Sequence, residues 1–195
     1  LGWERRNFEP SGVVAHHESV TDQELASGIA SGSTEALALL IERFHRPVLR
    51  YLWHAGGSKE DAEDLASQTL LRVRADVGAF RGEGSLRSWI FQVAYRELLR
   101  HRRRHALARL LTPKPAPEQT SDDAIVIAAA LARVPISQRA AFLLTEVEGL
   151  SVDETAAALG IPAGTVKSRC HHARLALRKL LGATYGETHV EPALD

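Results

Sequence analysis

Several things are scarce in this chain, and each shortage removes a class of protein. Cysteine occurs once, at Cys170, which excludes an internal disulfide framework and any multi-cysteine zinc module. No apolar run approaches the roughly 18–20 residues that a bilayer span requires. The opening residues, Leu1 to Gly12, lack the apolar stretch of a secretory signal. A cytoplasmic protein without membrane insertion is therefore expected. Methionine is absent, and nothing functional follows from that. There is no glycine loop of the kind that cradles phosphate, no paired-carboxylate cleft and no G-x-S-x-G elbow. The expectation is a chain with no catalytic residue, no cofactor and no metal, and so not an enzyme. Net charge is lacking too, since 24 Lys+Arg offset 24 Asp+Glu. Taken as a total, that balance argues against a simple polybasic nucleic-acid binder.

What remains is ordinary globular material: 195 residues, 45% hydrophobic and 25% charged, enough for one medium or two small cored domains. Almost all of it has helical period. From Asp22 to Trp53 apolar residues recur at three- and four-residue steps, which predicts a helix pair broken near Ser31-Gly32-Ser33. Gly56-Gly57 stops the pair, and Ser58 with Asp61 resembles a capping box opening a helix that buries Ala62, Leu65, Thr69, Leu70 and Val73. A glycine-rich turn, Phe80 to Ser85, precedes a helix with Trp89, Ile90, Val93, Ala94 and Leu98 on one face and a basic run, Arg100 to His105, at its end. Prolines 113, 115 and 117 forbid a continuing helix and favour an extended tether. The predicted organisation is all-α. It has a flexible extension over 1–19, a helical domain over 20–105, a linker over 106–121, a second helical domain over 122–182 and a flexible tail over 183–195.

The stretch from Ser151 to Leu181 is the most informative. Ser151 and Glu154 fit a capping box, a short helix follows, and Gly160 supplies a residue that tolerates the left-handed conformation at its end. Val152, Ala156 and Leu159 are its expected buried face. Pro162 presets the start of the next helix. Short helix, glycine turn and second helix describe a helix-turn-helix. In the second helix Val166, Cys170, Ala173, Leu177 and Leu180 share an inward stripe. Thr165, Lys167, Ser168, His171 and His172 face outward near the N-terminus, where a recognition helix meets base edges. Arg169, Arg174, Arg178 and Lys179 bring charge that neutralises phosphate. A metal reading of Cys170-His171-His172 fails, because consecutive helical residues point about 100° apart and cannot close on one ion. Cys170 on the apolar stripe reads as a small buried hydrophobe.

These residues resemble a known family. Leu131 to Pro135, Arg139, Glu148 to Ser151, Glu154-Thr155-Ala156 and Gly164 to Arg169 are similar to region 4 of bacterial sigma factors. Asp61 to Leu65 with Leu71-Arg72-Val73 resembles region 2.2 of the same family, and Ser85 to Ile90 its region 2.3. Regions 2 and 4 on a short linker are the layout of the extracytoplasmic-function (ECF) group of the sigma-70 family. The resemblance spans about residues 20–182 and implies a sigma factor that binds core RNA polymerase and promoter DNA. It implies polymerase contact by Asp61, Glu63, Asp64, Leu65, Gln68 and Arg72. It implies contact with the opened −10 strand by Arg81, Ser85, Arg87, Arg96, Arg100 and Arg103, with Trp89 kept for packing. For the −35 duplex it implies Thr165, Lys167, Ser168, Arg169, His171, His172 and Arg174. An anti-sigma factor is an implied partner, and the free protein is expected to be a monomer.

Departures from the family pattern are specific. Ser67-Gln68 stands where a Gln-Glu pair is usual, Leu70 replaces an aromatic, and Arg96 and Arg100 replace Asn and Asp. His172 replaces an arginine in the recognition helix. Arginine grips guanine through two donors at once, whereas a histidine nitrogen offers one donor or acceptor, so a shifted −35 preference is expected. The rival reading is a stand-alone helix-turn-helix regulator, which would need a receiver or ligand-binding domain upstream. A protein-interaction module with basic helices is the other. Charge by segment favours nucleic acid after all. Residues 77–105 and 163–182 each carry +5, while 20–76 carry −3 and 122–162 carry −4. Each basic surface is thus offset by an acidic one, and residues 1–19 (−1), 106–121 (+1) and 183–195 (−3) complete the balance.

Overall fold

The structure is a computed structural model that describes residues 20–56, 59–111 and 122–186. Every regular element among the described residues is a helix. Helix α1 (Asp22–Ala30) opens with a complete capping box in which Thr21 and Glu24 satisfy each other's backbone amides. It ends where expected. Gly32, at φ 85°, turns the chain into α2 (Thr34–Gly56), and the Ser33 hydroxyl accepts from the Ala36 amide at 3.1 Å. The Ser58 cap lies outside the described residues, and α3 (Lys59–Asp76) follows. A 3-10 turn at Val77–Ala79 leads through the glycine loop to α4 (Leu86–Leu111).

Helices α1 to α4 share a core of Leu25, Leu40, Val48, Leu52, Leu65, Val73, Leu86, Ile90, Ala94 and Leu98, all buried. The valine, leucine and isoleucine side chains among them each contribute roughly 1.5–3 kcal/mol when fully buried. The expected faces of α3 and α4 are present, except that Trp89 is half-buried and tilted against Phe80 at a centroid distance of 6.0 Å.

The second unit contains α5 (Asp122–Arg133), α6 (Ile136–Phe142) continuing as a π-helical turn (Leu143–Val147), α7 (Val152–Leu159) and α8 (Ala163–Gly186). Arg139 is buried and donates to the Leu131 carbonyl at 2.9 Å, satisfying an acceptor in the last turn of α5. The α7 capping box is complete, and Gly160 ends the helix at φ 65°. The inward side of α7 is rotated from expectation: Thr155, Ala158 and Leu159 are buried, whereas Val152 and Ala156 are half-buried. Thr155 turns in because its hydroxyl meets that of Thr145 at 3.3 Å, and Thr145 also receives the Cys170 thiol. Cys170 is buried on the α8 stripe, as its neighbours imply.

Two boundaries differ from the sequence expectation. Helix α4 continues six residues into the segment read as linker, because Ala106 to Leu111 are strong helix formers and the first proline comes only at 113. Helix α8 likewise runs to Gly186, past the expected start of the tail. Residues 1–19, 112–121 and 187–195 lie outside the described residues. The two units are packed on each other, with α2 and α4 against α5, α6 and α7.

Candidate functional site

The residues singled out in the sequence fall on three surfaces, built by α3, by the loop and first half of α4, and by α8. On α3, period and charge place Glu63, Asp64, Gln68 and Arg72 on the exposed face. Arg72 reaches Asp76 one turn on, at 3.2 Å, and Asp61 lies 3.4 Å from the His101 imidazole of α4. Leu65 is a correction. It is 1% exposed and belongs to the core beneath this face, so it supports the acidic residues and cannot itself meet a partner. Helical geometry requires this, since Leu65 shares its stripe with Ala62, Thr69 and Val73.

On α8 the left-handed turn at Gly160 and the proline at 162 set the helix start, where the Thr165 amide bonds to the Pro162 carbonyl. Lys167, Ser168, His171 and His172 are exposed, while Thr165 and Arg169 are half-buried. The Ser168 hydroxyl donates to the Thr165 carbonyl at 3.0 Å, and the rings of His171 and His172 are 5.9 Å apart. Arg174 is exposed but already paired with Glu146 of the π-helical turn. The front of α8 is therefore a compact, polar, outward-facing patch.

The α4 surface is different. Asp22 accepts the Leu86 amide at 2.6 Å, and the Ser85 hydroxyl accepts the Ser88 amide at 3.1 Å, so the helix start is firmly capped. Arg81, Arg96, Arg100 and Arg103 are exposed, Arg100 being paired with Glu97. Ser85 and Arg87 are half-buried and already bonded. The Ser85 hydroxyl donates to the Glu154 carboxylate at 2.6 Å, and Ser88 donates to the Glu154 carbonyl at 2.8 Å. Gln92 donates to the Ala157 carbonyl at 3.1 Å. Residues 85, 88 and 92 lie on one helical face, and all three are spent on α7. Arg87 donates to the Glu148 carbonyl, with its guanidinium 3.8 Å from the Glu148 carboxylate and its charge 5.9 Å above the Phe91 ring.

Glu148 anchors this contact. Its side chain is wholly buried, and Arg50 of α2 grips it through two parallel bonds of 2.9 and 2.8 Å. The Glu148 carboxylate in turn holds the Arg50 guanidinium's pKa above its ordinary value. Glu154 is held below the usual carboxylate range, first by the Ser85 hydroxyl and then by the Ser151 amide. Close by, burial and then the Arg50 charge lower the pKa of His54, whose ring stacks on Trp53. Sequence reasoning identified Glu148 and Glu154 as motif and cap residues but missed their bonds across the units. Ser88 was read only as part of the Ser85 to Ile90 motif, and Arg50 and Gln92 were missed altogether. The partners of Arg50, Ser88 and Gln92 are 98, 66 and 65 residues away, and no local pattern encodes such a distance.

Comparison with known proteins places both helical units in one family. Residues 40–107 match the family model "Sigma-70 region 2" and residues 125–177 match "Sigma-70, region 4". The chain is 34% identical over 176 residues to the ECF RNA polymerase sigma factor SigM of Mycobacterium tuberculosis, covering 88% of this chain and 89% of that one. Among solved structures, CnrH in complex with the cytosolic domain of CnrY matches with a TM-score of 0.66 at 25% identity, covering 83% of this chain and 97% of that one. The fold is also that of the sigma factor RpoE in complex with the anti-sigma factor NepR from Bartonella quintana. That match has a TM-score of 0.65 at 24% identity, over 76% of this chain and 98% of that one.

Proposed function

The chain belongs to the ECF group of the sigma-70 family, and from that premise we propose how its surfaces divide the family's work. As a sigma factor it binds core RNA polymerase and directs promoter recognition and the start of transcription. The first helical unit is the one matched by region 2, which disfavours a stand-alone regulator. In our reading the exposed acidic face of α3, with Glu63, Asp64 and Gln68, meets the polymerase, steadied by Asp61 and Arg72. Front residues of α8, namely Thr165, Lys167, Ser168, Arg169, His171 and His172, enter the −35 major groove, and Arg174 reaches phosphate once it leaves Glu146. The α4 surface, from Arg81 through Ser85 and Arg87 to Arg96, Arg100 and Arg103, holds the opened −10 strand, where charge and stacking share the work. The chain supplies specificity and leaves the polymerisation chemistry to the polymerase, in the cytoplasm. Among the described residues no helix is long and apolar enough to cross a membrane. An anti-sigma protein is its expected regulator, on the precedent of the sigma factor RpoE in complex with the anti-sigma factor NepR.

One observation carries this reading: two outward basic surfaces, each on its own helical unit, with a turn at Gly160 that presents the start of α8. Core polymerase with and without the chain, on a promoter library, provides the test. Transcripts that start at defined sites only when the chain is present are expected. Their absence from every template would refute the proposal.

A further inference from the structure

We propose that the packing of the two units is an intramolecular inhibitory latch, in which Glu148 and Glu154 occupy the α4 groups that the −10 strand requires. The inference rests on the reading of α4 as the strand-binding surface. Its chemistry is that of substitution. A carboxylate presents two oxygens to the Arg50 fork much as a phosphate does, and the α7 carbonyls take the donors of Ser88 and Gln92. Glu154 takes the Ser85 hydroxyl and the Glu148 carbonyl takes one Arg87 donor, so a phosphate or base has to displace them to use those bonds.

Three features mark the contact as one that opens. Its hydrogen bonds and ion pairs, drawn from Arg50, Ser85, Arg87, Ser88, Glu148 and Glu154, join groups that water can satisfy once the units part. The Arg50 side chain is half exposed, so salt screens its pairing with Glu148. The Tyr51 hydroxyl is buried with no hydrogen-bond partner among the described residues, a penalty that separation of the units would relieve.

The remaining surfaces give the latch a direction. The acidic face of α3 and most of the front of α8 are exposed in the closed form, whereas Ser85 and Arg87 are half-buried and bonded to the other unit. Polymerase docking on α3 can therefore precede opening, and strand capture must follow it. A free chain in this state is able to meet duplex but not to hold a single strand through Ser85 and Arg87.

Small-angle scattering and fluorescence anisotropy on the full chain test this together, using a labelled random-sequence single-stranded DNA. Glu148→Gln should enlarge the radius of gyration and tighten single-strand binding by about fivefold or more, the range of an ordinary coupling between sites. Arg50→Gln breaks the pair from its half-exposed side, where misfolding of the region 4 core is not at issue, and should act in the same direction. Raising the salt should expand the wild-type chain; this arm is read by scattering alone, since salt also weakens DNA binding. Unchanged size in both variants and in high salt overturns the latch, and expansion without a gain in strand affinity overturns its inhibitory role. Failure of the promoter reading registers separately, as absence of chain-dependent transcripts with core polymerase.

Discussion

The basic surfaces of α4 and α8 start from equal charge, +5 over 77–105 and +5 over 163–182, and differ in how their leading residues are engaged. Lys167, Ser168, His171 and His172 on α8 face solvent, while Ser85 and Arg87 on α4 are bonded to carboxylate and carbonyl oxygens of the other unit. Charge and helical spacing thus announce what a surface can bind. Whether it is free to bind depends on what packs over it.

The strongest way to break the comparison is to remove the platform under one surface. Leu65→Ala should cost about 2–5 kcal/mol of stability, as for other buried leucines, read by thermal or urea unfolding. Asp64→Ala on the exposed face should leave stability within about 0.5 kcal/mol while weakening polymerase binding. If the two acted alike, the division of α3 into core and contact faces would be wrong. A smaller effect comes from the turn that aims α8. Gly160→Ala forces a side chain into the left-handed region at φ 65° and should cost roughly 1–2 kcal/mol. It should lower duplex affinity and leave polymerase binding by α3 unchanged in pull-down.

The next test contrasts the two surfaces directly. Lys167→Ala should reduce the free chain's affinity for −35 duplex and lower its salt slope by about 0.9, one phosphate's worth of released counterion. Arg87→Ala should leave the free chain's affinity for the same duplex unaltered, because that side chain lies on α4 and is already engaged by Glu148. Anisotropy titrations at several salt concentrations would show it, and equal losses in both variants would mean that the α4 surface is open in solution.

The smallest expected effect is a pH dependence centred on His54. Its folded pKa lies below 6.5, because burial and the charges of Arg50 and Arg139 disfavour the proton more than Glu148 favours it. The unfolded chain therefore protonates first as the pH falls. The stability due to neutral His54 is complete above about 6.5 and is lost as the pH drops through the lower folded value. One proton limits the slope to about 1.4 kcal/mol per pH unit. Unfolding curves between pH 7.5 and 5.5 should show His54→Gln flattening part of the wild-type decline. An unchanged decline would exclude His54 as its source.

Much of this was legible in the sequence, and for local reasons. The break at Ser31-Gly32-Ser33, the Ser151 and Glu154 box and the end of α7 at Gly160 depend on residues within a few positions of one another. The stripe of Val166, Cys170, Ala173 and Leu177 follows from helical period alone. The extent of α4 was not legible from the prolines, since helix propensity carries it to Leu111 before Pro113 intervenes. Nor was the rotation of α7, which is decided by Thr145 reaching Thr155 from another element, with Cys170 of α8 bonded to Thr145 in turn.

By itself, then, the amino-acid order determined which segments are helical, where they are capped, which faces are apolar and how opposite charges alternate along the chain. Those properties arise from backbone geometry and from neighbours one or two turns away. Only the tertiary structure decided that Leu65 lies under the α3 face, that Glu148 is gripped by Arg50 from 98 residues away, and that Glu154 serves its own helix cap and Ser85 together. Burial and pairing are properties of whatever lies across the gap, and in this protein that is the other helical unit.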